Sequence, residues 1–183
     1  MKRVWICTGL LFAATTLLAQ QAPPKKAPLS PPATASATIG GKTITITYSS
    51  PRVRGREGAI FTKDGLISKD PHYPVWRAGA NAATTLETNS DLMIGNLHVP
   101  AGTYTLFVDI SDPAHWVLIV SKATGEWGLA YDPAKDLGKT PMMMSKPATM
   151  VEDLTYSLAV DNGKGTLTLA WEDMSASVPI MMQ

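Results

Sequence analysis

The sequence predicts an all-β fold, an antiparallel β-sandwich or an open barrel, and three observations predict it. Six short runs alternate apolar with polar side chains and are rich in β-branched residues: 42–48, 84–88, 103–110, 116–121, 154–160 and 166–171. Between such runs stand Gly95-Asn96, Pro100-Ala101-Gly102 and Asp161-Asn162-Gly163, residues that tolerate the backbone angles of tight turns. No stretch of the domain keeps a helical period, so antiparallel neighbours joined by short turns follow.

The chain has 183 residues, 45% hydrophobic and 17% charged, a composition for one packed domain rather than a disordered polymer. Residues 1–19 read as a secretory signal peptide: Lys2 and Arg3 start it, residues 4–18 are an apolar run, and Ala19 offers a small residue for cleavage before Gln20. That run falls short of the roughly 20 residues needed to span hydrocarbon. The mature chain is therefore expected to lack a membrane span and to be exported to the periplasm or the extracellular space. The only cysteine, Cys7, lies in the leader, so the mature core is expected to hold by packing without a disulfide. Loss of Lys2 and Arg3 leaves 14 basic against 15 acidic side chains, a net charge of −1 that gives no footprint for nucleic acid.

Residues 20–35 read as a Pro/Ala-rich disordered linker, carrying Pro23, Pro24, Pro28, Pro31 and Pro32. The β-rich domain is then 36–183. Its last run, 178–182, contains Pro179, which cannot donate to a ladder, and is expected on a sheet edge. Met142, Met143 and Met144 follow Pro141 as flexible core filler under a loop; they are contiguous rather than spaced as metal-binding methionines would be.

Most of the unusual residue choices fall between Pro71 and Asp109, which open with Trp76, Arg77 and Asn81 in a Pro-bounded segment. Upstream, Arg52, Arg54 and Arg56 alternate, and in an extended strand all three project to one side, where guanidinium groups suit carboxylate, phosphate or sulfate. The bland counterpart is a solvated edge whose charges prevent strand addition.

Catalytic motifs are sparse. His72, His98 and His115 lack metal-ligand spacing, Asp132 and Asp136 lack the further oxygen ligands of a calcium loop, and there is no G-x-S-x-G elbow. No metal and no cofactor is expected.

Ser50-Pro51-Arg52-Val53-Arg54-Gly55-Arg56, then Val75-Trp76-Arg77-Ala78-Gly79-Ala80-Asn81 with Ala83-Thr84-Thr85, then Pro100-Ala101-Gly102-Thr103-Tyr104 resemble the bacterial domain-of-unknown-function family 2911. Trp127-Gly128, the stretch Leu167-Thr168-Leu169-Ala170-Trp171-Glu172 and Val178-Pro179-Ile180 fit the same pattern, so the resemblance runs from about Tyr48 to Ile180. It implies an exported β-rich domain and no assigned activity. Ala82 stands where relatives often carry an acid, and the insert 57–73 looks longer than usual, so the approach to Trp76 is expected to be covered differently.

Two functional classes remain. In a binding module, Trp76 and Trp127 supply apolar platforms while Arg77, Asn81, Arg52 and Glu87 fix a small polar or anionic ligand, or the domain docks an envelope protein. In a hydrolase-type enzyme, Glu87, Asp109 or His72 supplies the acid or base in the same cleft. If Arg77 is structural instead, Glu87 is its expected partner, and Asn81 bonds backbone groups in the turn before Thr84.

Overall fold

The computed structural model describes residues 27–161 and 164–183. The segment expected to be a signal peptide, residues 20–26 of the expected linker, and Asn162-Gly163 lie outside the described residues.

Thirteen strands follow one another among the described residues. They are β1 (Pro32–Ile39), β2 (Lys42–Ser49), β3 (Val75–Trp76), β4 (Thr84–Thr88), β5 (Leu92–Ile94), β6 (Leu97–Val99) and β7 (Gly102–Asp109). Then come β8 (Val117–Ser121), β9 (Asp136–Pro141), β10 (Met143–Ser145), β11 (Val151–Asp161), β12 (Lys164–Glu172) and β13 (Met174–Met182). Two 3-10 turns, Ile67–Lys69 and Pro133–Lys135, are the helical content. No helix among the described residues is long and apolar enough to cross a membrane.

The strands form two antiparallel sheets, a β-sandwich rather than a closed barrel. One sheet runs β1-β2-β4-β7-β8-β9 with β3 on β7; the other runs β11-β12-β13-β5-β6 with β10 on β13. Period two explains the layering: on β2, Ile44, Ile46 and Tyr48 are buried while Thr43, Thr45 and Thr47 are not. On β11, Leu154 and Tyr156 are buried and Ser157 is exposed. Leu86, Leu106, Val108 and Leu118 of the first sheet share one core with Leu154, Leu167, Leu169 and Val178 of the second. Phe107, of opposite parity on β7, is buried on the other face, under Tyr131 at 4.8 Å between ring centroids.

At the seams β1 runs beside β11 and β6 beside β9. Close approach at the second seam requires glycine: a Cβ on Gly95, which has φ 58°, would collide with Thr140 Oγ1.

The structure departs from two expectations. The domain begins at Pro32, inside the segment read as linker, because β1 pairs with β2 in full register from Pro32 opposite Ser49 to Ile39 opposite Lys42. Pro179 lies on an interior strand, since β13 is hydrogen-bonded to β12 on one side and to β5 and β10 on the other. The N and C=O of one residue point to the same side of an antiparallel strand. Pro179 O accepts from Gly95 N at 2.8 Å, so its missing N–H also faces that side, where it falls between the last β5 pair (Ile180 with Ile94) and the first β10 pair (Ser177 with Met143). The ladder to β12 loses nothing.

The methionine cluster divides by parity. Met142 is buried, Met144 packs against the core, and Met143 between them is exposed on β10.

Candidate functional site

A cleft of about 400 Å³ opens where four connecting segments meet beside Leu29 and Ser30, which precede β1. The first is the bend after β2. Ser50 Oγ donates to Leu154 O at 2.7 Å, and Val53 N and Leu154 N bond Glu152 O and Pro51 O at 2.9 Å, fastening the bend to β11. Arg52 forks onto Asp153, with Nε 2.5 Å from Oδ1 and Nη2 3.3 Å from Oδ2. Arg54 adopts φ 53°, donates its backbone N–H to Glu152 Oε1 at 3.1 Å, and reaches Leu29 O through Nη2 at 3.1 Å. Arg56 Nε donates to Val53 O at 2.8 Å. The left-handed residue breaks the extended strand expected for these three alternating arginines, yet all three line the cleft.

The second segment is the insert. Leu66 N and Ile67 N bond Ala59 O and Ile60 O at 3.0 and 3.2 Å, which folds 57–73 back on itself. Phe61 then packs on Trp76, Trp116 and Trp171 at 5.7, 5.1 and 5.8 Å between centroids. Lys69 and Asp70 leave the 3-10 turn on the cleft wall, and Asp70 Oδ1 accepts from His72 N at 3.1 Å. The insert does cover Trp76.

The third segment follows β3. Trp76 is 3% exposed and stacks on Trp171 of the other sheet, 5.9 Å between centroids and 19° between planes. Both rings line the cleft floor while belonging to the core. Ala78 and Asn81 take φ 48° and 58°, and Ala78 O is pinned by Tyr156 Oη at 2.9 Å and Thr84 Oγ1 at 3.1 Å. Gly79 is needed for closeness: a Cβ there would lie 2.7 Å from Thr84 Oγ1. Asn81 is a residue type that tolerates the left-handed region; its amide reaches Ser30 O at 3.5 Å, not the turn before Thr84.

Arg77 has one partner outside this turn and one within it. Its Nε is 3.6 Å from Asp70 Oδ2 and its Nη1 is 3.5 Å from Asn81 O. Burial pulls the guanidinium pKa below its ordinary value, and the Asp70 charge works against that shift. The fourth segment supplies Gly128, whose N–H donates to Asn81 O at 3.2 Å, and Leu129, which lines the cleft.

Of the residues singled out in the sequence, Trp76, Arg77, Asn81 and Arg52 converge on this cleft. Glu87 does not. It is exposed on β4, beside Thr43, Thr45 and Asn89, because Leu86 takes the inward parity, and the acid that faces Arg77 is Asp70. Trp127 is 57% exposed and bridges Ala82 outside the lining. His72 Nε2 instead accepts from Tyr131 N at 3.4 Å, and Asp109 Oδ1 accepts from Ser111 N; neither lines the cleft. His98 and His115 pair with Asp91 and Asp112 on the surface. Asp132 caps the second 3-10 turn, and Asp136 accepts from Tyr131 Oη at 2.9 Å. Among the described residues no group of three or more His, Cys, Asp or Glu side chains is placed to hold a metal ion.

Lys69, Asp70, Leu129 and Trp171, with Leu29, Ser30, Leu66 and Ile67, are among the lining residues that sequence reasoning misses as site residues. The adjacent Lys69-Asp70 before Pro71 is the one local signal, and nothing in its spacing ties it to Arg77.

The fold and the cleft define an antiparallel β-sandwich with an arginine-lined, tryptophan-floored cleft. The chain belongs to the family DUF2911, described as a protein of unknown function, which it matches over residues 30–180. No curated protein and no solved structure matches it.

Proposed function

We propose that this is an exported binding module whose cleft takes a small anionic ligand. The observation that carries the reading is the charge of the lining: Arg52, Arg54, Arg56, Lys69 and Arg77 against the single carboxylate of Asp70. A wall of one sign over a low-dielectric floor focuses the field and draws a counter-ion in. Apolar side chains with a few polar groups that fix orientation are the usual make-up of a small-molecule site. The hydrolytic alternative is not favoured, because Glu87, Asp109 and His72 stand outside the cleft. Export follows from the leader and is tested by N-terminal sequencing of protein from the native host, with a start near Gln20 expected and an intact Met1 in a cytoplasmic fraction against it.

Binding is tested by thermal melting with benzoate, phenyl phosphate and choline. A ligand that binds the folded chain alone raises Tm by mass action. The two anions should raise it and choline should not; equal shifts from all three, or none, would refute an anion-selective cleft.

A further inference from the structure

We infer that the ligand carries a dianionic oxyanion head of the phosphate-monoester class on an apolar body, with Arg77 as the group that meets the head. This rests on the anionic-ligand reading and deepens it.

The charge ledger of the wall decides the valence. Arg52 is neutralised by its fork onto Asp153, and Arg77 shares Asp70. Arg54, Arg56 and Lys69 form no salt bridge among the described residues, although Glu152 takes the backbone N–H of Arg54. With Glu152 counted against them, the lining residues and their direct partners keep an excess of two positive charges, Glu57 and Glu172 standing outside the lining. A monocarboxylate leaves half of it uncompensated; a phosphate monoester, which carries close to two negative charges at neutral pH, matches it.

Hydrogen bonding selects the contact. Arg77 has a side chain 20% exposed, yet makes no hydrogen bond shorter than 3.5 Å and lies 3.6 Å from its carboxylate. A desolvated guanidinium with only long contacts is costly. An oxyanion seated in the cleft offers the short charge-assisted bonds it lacks, and three terminal oxygens serve several forks at once. Arg56 and Arg54 differ: each already spends part of its fork on a backbone carbonyl, Val53 O and Leu29 O, which fixes them as a positively charged rim.

The body is assigned by the floor. Leu66, Ile67 and Leu129 line the cleft with Trp76 and Trp171, an apolar surface suited to an aryl or alkyl group and not to water. Inorganic phosphate alone would leave that surface bare.

The test is calorimetric titration of the mature chain with phenyl phosphate, phenyl sulfate, benzoate and inorganic phosphate at about pH 5 and about pH 7.5, either side of the monoester's second pKa near 6. Phenyl phosphate should bind at least about tenfold tighter than benzoate at the higher pH and lose about tenfold at the lower one. Phenyl sulfate, a monoanion at both, should not lose affinity between them, which separates titration of the ligand from titration of the protein. Inorganic phosphate should bind more weakly than phenyl phosphate. If benzoate matches phenyl phosphate, or the two esters share one pH profile, the dianion assignment falls and the anion cleft stands. If inorganic phosphate equals phenyl phosphate, the apolar body is wrong. If none of the four binds, the anionic-ligand reading falls with it.

Discussion

Nε of Arg77 lies 3.6 Å from Oδ2 of Asp70, and the Asp70 side chain is only 5% exposed. The two residues come from different connecting segments, one from the insert and one from the turn after β3, and both line the cleft. Asp70 does not depend on Arg77 alone, since it also accepts from His72 N at 3.1 Å.

Replacing Arg77 with Met keeps the stem and removes the charge. Because the pair is long and Asp70 retains a backbone donor, stability should fall by about 1–2 kcal/mol, between the values for exposed and for buried pairs. Urea unfolding measures it. A loss of about 3–5 kcal/mol would make Arg77 a buried structural partner instead.

Trp76 serves both core and floor. Its replacement by Ala removes a ring in contact with Phe61, Trp116 and Trp171, and should cost about 3–5 kcal/mol in urea unfolding. A loss under about 1 kcal/mol would mean that the aromatic cluster contributes little to joining the two sheets.

Gly128 sits behind Arg77. A Cβ there would lie 2.7 Å from Arg77 Cδ and 2.9 Å from Asn81 O. Gly128→Ala should therefore push the arginine from its place, weaken phenyl phosphate binding, and cost about 1–3 kcal/mol as overpacking does. Unchanged binding and stability would show that Arg77 has room to spare.

Glu172, next to the floor residue Trp171, is 4% exposed and accepts the N–H of Gly58. Burial pushes its carboxyl pKa up, opposed by the Gly58 bond and reinforced by Asp173 and Glu57. The folded chain thus holds this proton more tightly than the unfolded one, so the residue's contribution to stability is present at low pH and is lost as pH rises through the folded pKa. Glu172→Gln keeps an acceptor and removes the titration. Relative to wild type, the variant should gain stability between about pH 4 and about pH 7. Urea midpoints at both pH values check this, and a difference that stays flat or moves the other way would contradict it.

The sheets are legible in the sequence wherever alternation carries large contrast, as in the Ile, Tyr and Thr of β2 or the Leu, Trp and Thr of β12. β1 has the same period, but its alternation is Ala against Thr and Ser, and Pro31-Pro32 at its start reads as linker. β13 conceals its interior place because proline argues for an edge unless the position of each neighbouring ladder is known. Trp76, Arg77 and Asn81 stand out in the sequence because they crowd one short segment, the end of β3 and the turn after it. Lys69 and Asp70 are not, since the loop-to-loop bonds that bring the insert over the cleft have no sequence period. Glu87 is a misreading that the sequence itself could correct: if Leu86 faces the core, its neighbour on β4 faces away.

In the proposed reading this cleft binds a small anion through Arg77. Calorimetric titration of phenyl phosphate into the wild-type chain and the Arg77→Met variant tests it most directly. The wild type should saturate at one ligand per chain, and the folded variant should bind at least about 30-fold more weakly, as expected on losing a charge-assisted pair worth about 2 kcal/mol. Equal affinity in the two proteins, or no binding to the wild type, would contradict the account.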